Sequence, residues 1–189
     1  MADQDLPQPQ TTPDERFAAL EERFGADLIE ARVGERGPDF LVEPERLPEF
    51  VAALREDFLA EPHLFVDACG VEREVFLEVV YRFSLVGRSE IVTVRAQTPK
   101  ENPVVASLSG LYPGALWPER EYAEMYGITV TGHPDLRHLL LPEGWAGFPL
   151  RKDYRYPLEH PYLAPDPLRE DPIQALGHRP EAETETTTA

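Results

Sequence analysis

The sequence predicts an α+β fold: a two-layer sandwich of a mixed sheet with helices on one face, followed by an irregular Pro/Gly-rich segment and an extended C-terminal tail. Three observations carry this. Val75, Leu77, Val79, Tyr81, Phe83 and Leu85 alternate with Phe76, Glu78, Val80, Arg82 and Ser84, the period of two that belongs to a strand. The turn Gly87-Arg88-Ser89 joins this run to 91–97, so the two form an antiparallel hairpin with Val75, Leu77, Val79, Tyr81 and Phe83 toward the helices and Glu78 and Arg82 away from them. Two earlier segments repeat apolar residues at helical spacing instead, and the order helix, strand, strand, helix, meander packs both helices on one sheet face.

Each element has its own signal. Residues 1–11 form a polar, proline-dotted tail that is flexible by composition. Thr12-Pro13-Asp14-Glu15 starts a helix: Thr12 caps it, Pro13 takes the first position, and Glu15 reaches back. Phe17, Leu20 and Phe24 share its apolar face, and Gly25 ends it. Ile29, Ala31 and Val33 line one face of a strand that turns through 34–38 into a short strand over 40–42. A second helix begins near Pro48, with Phe50, Val51, Leu54 and Phe58 as its stripe. A short strand over 64–68 follows, and Cys69 at its end is a small core residue. Beyond the hairpin, short helices are expected over 104–111 and 118–126.

Pro157, Pro161, Pro165, Pro167 and Pro172 predict an extended path, with Tyr162, Leu163, Leu168, Ile173 and Leu176 available to fill pockets on a partner. The last residues, from His178, are polar and acidic enough to remain disordered. The organisation is therefore a tail over 1–11, one α+β domain over 12–155, and a partner-wrapping and disordered tail over 156–189.

Composition narrows the function. The chain has 189 residues, enough for one domain with tails. It has no apolar run long enough to span a bilayer, and its acidic, proline-bearing start lacks the character of a signal peptide, so a cytoplasmic setting is expected. Cys69 is the sole cysteine, which excludes an internal disulfide and an iron–sulfur cluster held by this chain's own thiolates. The formal charge is −17, and nucleic acid or an anionic bilayer would repel such a chain.

The charge is uneven. Residues 1–60 hold 15 acids against 6 bases, 61–130 hold 10 against 6, and 161–189 hold 6 against 2. Residues 131–160 are balanced at four and four. That neutral stretch overlaps the segment WPEREYAEMYGITVTGHPDLRHLLLPEGWAGFPLRKDY, from Trp117 to Tyr154. Its prolines and glycines oppose regular structure, yet it carries Trp117, Ile128, Leu136, Trp145, Phe148 and Leu150. An apolar payload on an irregular path is either a loop packed on its own domain or a surface built to be covered.

The polar residues of this segment admit several readings. His133 and His138 flank Asp135, but their spacing matches no close metal-ligand motif, and a histidine that satisfies its own turn accounts for each. Glu119 and Glu121 lie at the positive end of the 118–126 helix, and Arg120 is placed to pair with Glu124 one turn later. No phosphate-binding loop, nucleophile elbow or Cys–His context appears.

Taken together, WPERE, the Met-aromatic-Gly-Ile that ends the helix, GHPDLR, the leucine-rich step, LPEGW and PLRKDY resemble the C subunit of the proton-pumping NADH–quinone oxidoreductase, respiratory complex I. The likeness is dense over 116–156. The sequence departs from the family pattern at Ala123, Glu124, Tyr126 and Phe148, where the family usually has an aromatic, aspartate, phenylalanine and histidine.

The resemblance implies a structural, non-catalytic peripheral-arm subunit with no cofactor and no metal of its own. The NADH, FMN, iron–sulfur clusters and quinone belong to the parent complex. It implies docking on the large, hydrogenase-like quinone-site subunit and on neighbouring iron–sulfur subunits. Location would be the cytoplasmic side of the cell membrane, reached only through the complex. The implied interface comprises Trp117, Glu119, Arg120, Glu121, Gly127, Ile128, His133, Pro134, Asp135, Leu136, Arg137, Trp145, Pro149, Leu150, Arg151, Lys152, Asp153 and Tyr154. Alternatives are the equivalent subunit of a membrane-bound nickel–iron hydrogenase or formate hydrogenlyase, and a small stand-alone enzyme using His133, Asp135 and His138.

Overall fold

The alternating runs become the centre of a five-stranded mixed sheet in the computed structural model, which describes residues 13–57, 63–87 and 90–155, without the side chains of 13–17 and 19. The elements are α1 (Pro13–Phe24), β1 (Leu28–Gly34), β2 (Gly37–Val42), α2 (Leu47–Asp57), β3 (His63–Glu72), β4 (Phe76–Leu85), β5 (Ile91–Pro99), β6 (Val104–Ala106), α3 (Leu116–Tyr126) and β7 (Thr129–Thr131). Sheet order is β1-β2-β5-β4-β3, antiparallel except for the parallel β2–β5 pair, and β6 and β7 form a separate parallel ladder. The Thr12 cap, Phe58, Arg88 and Ser89 of the hairpin turn, and the whole C-terminal tail lie outside the described residues.

The sheet face toward the helices is apolar. Leu77, Val79, Tyr81 and Phe83 of β4 are fully buried beside Val92, Val94 and Ala96 of β5. Phe50 of α2 packs its ring edge on Phe24 of α1 and lies against Phe40 of β2. Register follows from the alternation, with Val79 opposite Ala96 and Tyr81 opposite Val94.

Several expectations are corrected. Val75 is 74% exposed, because a hydrogen bond from Arg73 N–H to the Phe76 carbonyl closes the β3–β4 turn and leaves it at the tip. Glu78 does face away from the helices, yet it is buried. Arg73, Arg95 and Gln97 donate to its carboxylate and cover it. Burial alone would raise its pKa, but these bonds outweigh it and hold the group below the usual value. Ile29 and Val33 are exposed: the register slips between Leu28 and Glu30, so Leu28 turns to the core, and Val33 ends an edge strand.

The helix expected over 104–111 is absent. Val104 and Val105 extend β6, as β-branched residues prefer, and Ser107 Oγ then accepts the Ser109 amide to form a turn. Cys69 sits within a strand that runs on to Glu72, and it is only partly buried.

Gly70 of β3 sets how closely α3 can approach the sheet. A Cβ there would come within 2.7 Å of the Tyr126 ring and 3.1 Å of Tyr122 Cβ, so only glycine lets α3 lie this near to β3.

Candidate functional site

Helix α3 directs Glu119 and Tyr122 inward, Arg120 and Glu124 toward the following loop, and Trp117 and Glu121 to the surface. It tolerates Pro118 in its first turn, where the missing amide has no intrahelical partner to lose. It ends at Gly127, whose left-handed backbone (φ 73°) donates to the Ala123 carbonyl. The Phe148 ring fills the space a Cβ at 127 would need, with ring carbons 2.5 Å from that position.

Inward, Glu119 is completely buried, and Tyr122 nearly so. Glu119 Oε1 accepts the Tyr81 hydroxyl at 3.0 Å and the Leu108 amide at 2.7 Å, while Oε2 accepts the Ser107 hydroxyl at 2.5 Å. With Tyr81 donating to Glu119, the Tyr122 hydroxyl donates to Tyr81 at 2.8 Å. One carboxylate thereby ties β4, the turn after β6 and α3 together. Desolvation raises its pKa, and the Ser107, Leu108 and Tyr81 bonds oppose that rise. The two tyrosines, buried beside a carboxylate, are held well above their usual range.

Toward the loop, Arg120 donates from Nε to the Arg137 carbonyl and from Nη2 to the His138 carbonyl, both at 2.8 Å. Glu124 accepts the amides of Leu139, Leu140 and Leu141 at 2.9, 2.8 and 3.3 Å. The expected Arg120–Glu124 pair is therefore replaced. The loop has no ladder for its own backbone groups, and these two side chains, one helical turn apart, supply the missing acceptor and donor.

The turn before the loop closes on itself. His133 Nδ1 accepts the Asp135 amide, so Nε2 carries the proton and donates to the Leu116 carbonyl at 3.0 Å. Asp135 accepts the Arg137 amide and the Nε and Nη2 donors along one edge of its guanidinium, at 2.7–3.1 Å. Those bonds pull its carboxyl well below the usual range. His138 Nδ1 donates to the Pro142 carbonyl. Among the described residues, no three His, Cys, Asp or Glu side chains converge as a metal would require.

The far end is strapped to the sheet. Leu150 N–H donates to the Met125 carbonyl, and Arg151 Nη2 donates to the Lys100 carbonyl at 2.6 Å while its guanidinium lies over Phe148. Glu72, at the end of β3, accepts Lys100 Nζ on one oxygen and the Lys152 amide on the other, each at 2.6 Å. The Tyr154 amide bonds the Arg151 carbonyl, and its hydroxyl bonds the Ala146 carbonyl.

This frame leaves apolar groups uncovered. Trp117 is 69% exposed, Leu140 62%, Leu150 51% and Leu136 44%. Glu121, Pro134, Arg137, Lys152 and Asp153 are exposed, and Arg120, Trp145 and Pro149 are half-buried. Glu119 and Ile128 are interior and brace the surface from behind. Sequence reasoning missed Glu72, Tyr81, Lys100 and Ser107 as supports because their partners are distant in sequence. For Glu124 a local signal existed: a run of amides between prolines and glycines requires an acceptor.

The family model described as respiratory-chain NADH dehydrogenase, 30 kDa subunit, matches residues 40–160. The NADH-quinone oxidoreductase C subunit of Roseiflexus sp. (strain RS-1) is 42% identical over 144 residues, spanning 72% of this chain and 82% of the relative. The same subunit from Herpetosiphon aurantiacus is 34% identical over 142 residues, spanning 72% and 83%. In fold, the chain is similar to one in the membrane-bound sulfane sulfur reductase, an archaeal respiratory membrane complex. That likeness has a TM-score of 0.58 at 21% identity and covers 75% of this chain and 85% of the other. The matched span takes in α3, the loop it braces and the strap behind it, and the chain belongs to the respiratory-chain NADH dehydrogenase 30 kDa subunit family.

Proposed function

We propose that this chain is a structural, non-catalytic subunit in the peripheral arm of a proton-translocating NADH–quinone oxidoreductase. It docks on the large quinone-site subunit through the surface built by α3 and residues 133–154. The observation that carries this is the uncovered apolar set Trp117, Leu136 and Leu140, held on a backbone already fixed by Arg120 and Glu124. A surface ordered in advance loses little entropy on docking, and covering it removes large apolar groups from water. The chain contributes shape. The NADH, FMN, iron–sulfur clusters and quinone are held by the other subunits, and the chain meets the cytoplasmic side of the membrane only through them.

A tagged copy recovered from native membranes tests this. The large quinone-site subunit and NADH–quinone reductase activity are expected to co-purify with it. Replacing Trp117 and Leu140 together with alanine is expected to abolish recovery without lowering the thermal midpoint of the isolated chain. A tagged chain that comes away alone, or a double variant that assembles as well as the natural sequence, overturns the reading.

A further inference from the structure

We infer that His133 is the positioning residue of the docking surface, fixing its Trp117 side against its Leu136 side while touching no partner itself, an inference that rests on the proposed docking role. The two sides belong to different elements. Trp117, 69% exposed, stands in the first turn of α3, and Leu136, 44% exposed, stands in the bend after β7. The His133 side chain between them has no exposed surface. Its Nε2 donates to the carbonyl of Leu116, the residue before Trp117, at 3.0 Å. Its Nδ1 accepts the amide of Asp135, the residue before Leu136, also at 3.0 Å. One rigid ring therefore joins the start of the helix to a bend 17 residues further along the chain.

Both bonds exist together in only one state of the ring, the neutral tautomer with its proton on Nε2. A proton on Nδ1 would meet the Asp135 N–H head-on. The surroundings favour the working tautomer, because Oε2 of the buried Glu119 lies 3.9 Å from Nε2. That carboxylate is itself fixed by Tyr81 of β4 and by Ser107 and Leu108 after β6. A histidine serving only its own bend would need Nδ1 alone, whereas the bond to Leu116 leaves the bend and reaches the helix. Without the ring, each side of the surface keeps its own element but can shift against the other. Docking would then have to order what is now ordered in advance, and affinity would fall.

The test separates the two nitrogens. In His133→Asn the side-chain oxygen can replace Nδ1, but the side chain is too short to reach Leu116. In His133→Gln the terminal amide can replace Nε2, but the Asp135 amide loses its acceptor. Labelled full-length chain is titrated onto membranes that contain the rest of the complex but lack this subunit. Each variant is expected to weaken binding about three- to tenfold, the scale of one hydrogen bond. The His133→Asn effect is expected to shrink to about twofold or less in a Trp117→Ala background, and the His133→Gln effect to do the same in a Leu136→Ala background, because residues that act through one another are not additive. A role in folding alone would cost the same factor in every background. The natural-sequence chain gives a reading that needs no variant: proton–nitrogen NMR correlation of the His133 ring is expected to show its proton on Nε2 at about pH 7. A proton on Nδ1 overturns the inference by itself. If both variants bind like the natural sequence, or lose the same factor in every background, while Trp117→Ala weakens binding, the positioning role fails and the docking role stands. If Trp117→Ala also binds normally, both fail.

Discussion

The β4–β5 hairpin and the 133–154 segment are held together by opposite means. In the hairpin, each strand repeats one decision every second residue, and Leu77, Val79, Tyr81 and Phe83 bury one face while the backbone pairs with itself. In the segment the backbone makes only isolated turn bonds with itself, and side chains from elsewhere do much of the pairing. Glu124 takes three amides, Arg120 takes two carbonyls, and Glu72 takes one amide together with Lys100. The first arrangement is redundant, because many weak contacts share the load. The second concentrates order in a few polar side chains, which lets a surface stay open to a partner and still be rigid.

The comparison breaks most readily through the core. Phe50 has no exposed surface and touches both Phe24 and Phe40, so Phe50→Ala removes contacts on the helix and sheet layers at once. The expected loss is about 3–5 kcal/mol of global stability, seen as a fall in the denaturant midpoint. Every probe, including the fluorescence of Trp117 and Trp145, is expected to follow a single transition. A Trp117 signal that survives the loss of sheet structure would show that the segment does not depend on the sandwich.

Glu124→Ala is expected to do less, and to do it locally. It orphans the three amides of Leu139, Leu140 and Leu141, and bonds to a charged acceptor contribute about 1.5–3 kcal/mol each without adding fully. About 2 kcal/mol of local opening corresponds to a roughly 30-fold loss of hydrogen-exchange protection at residues 139–141. The amides of β4 and β5 are expected to remain unchanged. Equal loss of protection in both regions would mean that hairpin and segment open as one cooperative unit and are not held by separate means.

This division also explains what was legible in the sequence. Alternation encodes the hairpin, its register and the two helices packed on it, because the apolar face is written into successive residues. Glu78 shows the limit: its outward direction was legible, but its burial was not, because Arg73 of the β3–β4 turn and Arg95 and Gln97 of β5 together cover it. The same holds for Ile29, where a register slip of one residue moved the core position to Leu28. In the segment, composition revealed that something irregular and apolar was present. It could not show that Arg120 and Glu124, ideally spaced to pair with each other, would each choose the loop backbone. That choice is decided by unmet backbone groups 15 to 18 residues away.

The smallest expected effect concerns pH at the strap. Glu72 lies below its ordinary value of 4.5, first because Lys100 donates to it, with the Lys152 amide adding to the effect and burial opposing it. Depression of a carboxyl in the folded state means that the unfolded chain binds the proton more readily. The stabilisation is therefore complete above about pH 4.5 and is lost as pH falls through the lower folded value. Other carboxylates titrate in the same range, Glu78 among them, so the measurement is the difference between the natural sequence and Glu72→Gln in urea midpoint across pH 3–7. That difference is expected to be about 1 kcal/mol or less near neutrality and to shrink toward zero under acid. The Lys152 amide is expected to lose exchange protection in parallel, since the carboxylate that accepts it also accepts Lys100. A difference that grows as the pH falls has the wrong sign for an ionised Glu72 and would mean that the segment is held without the strap.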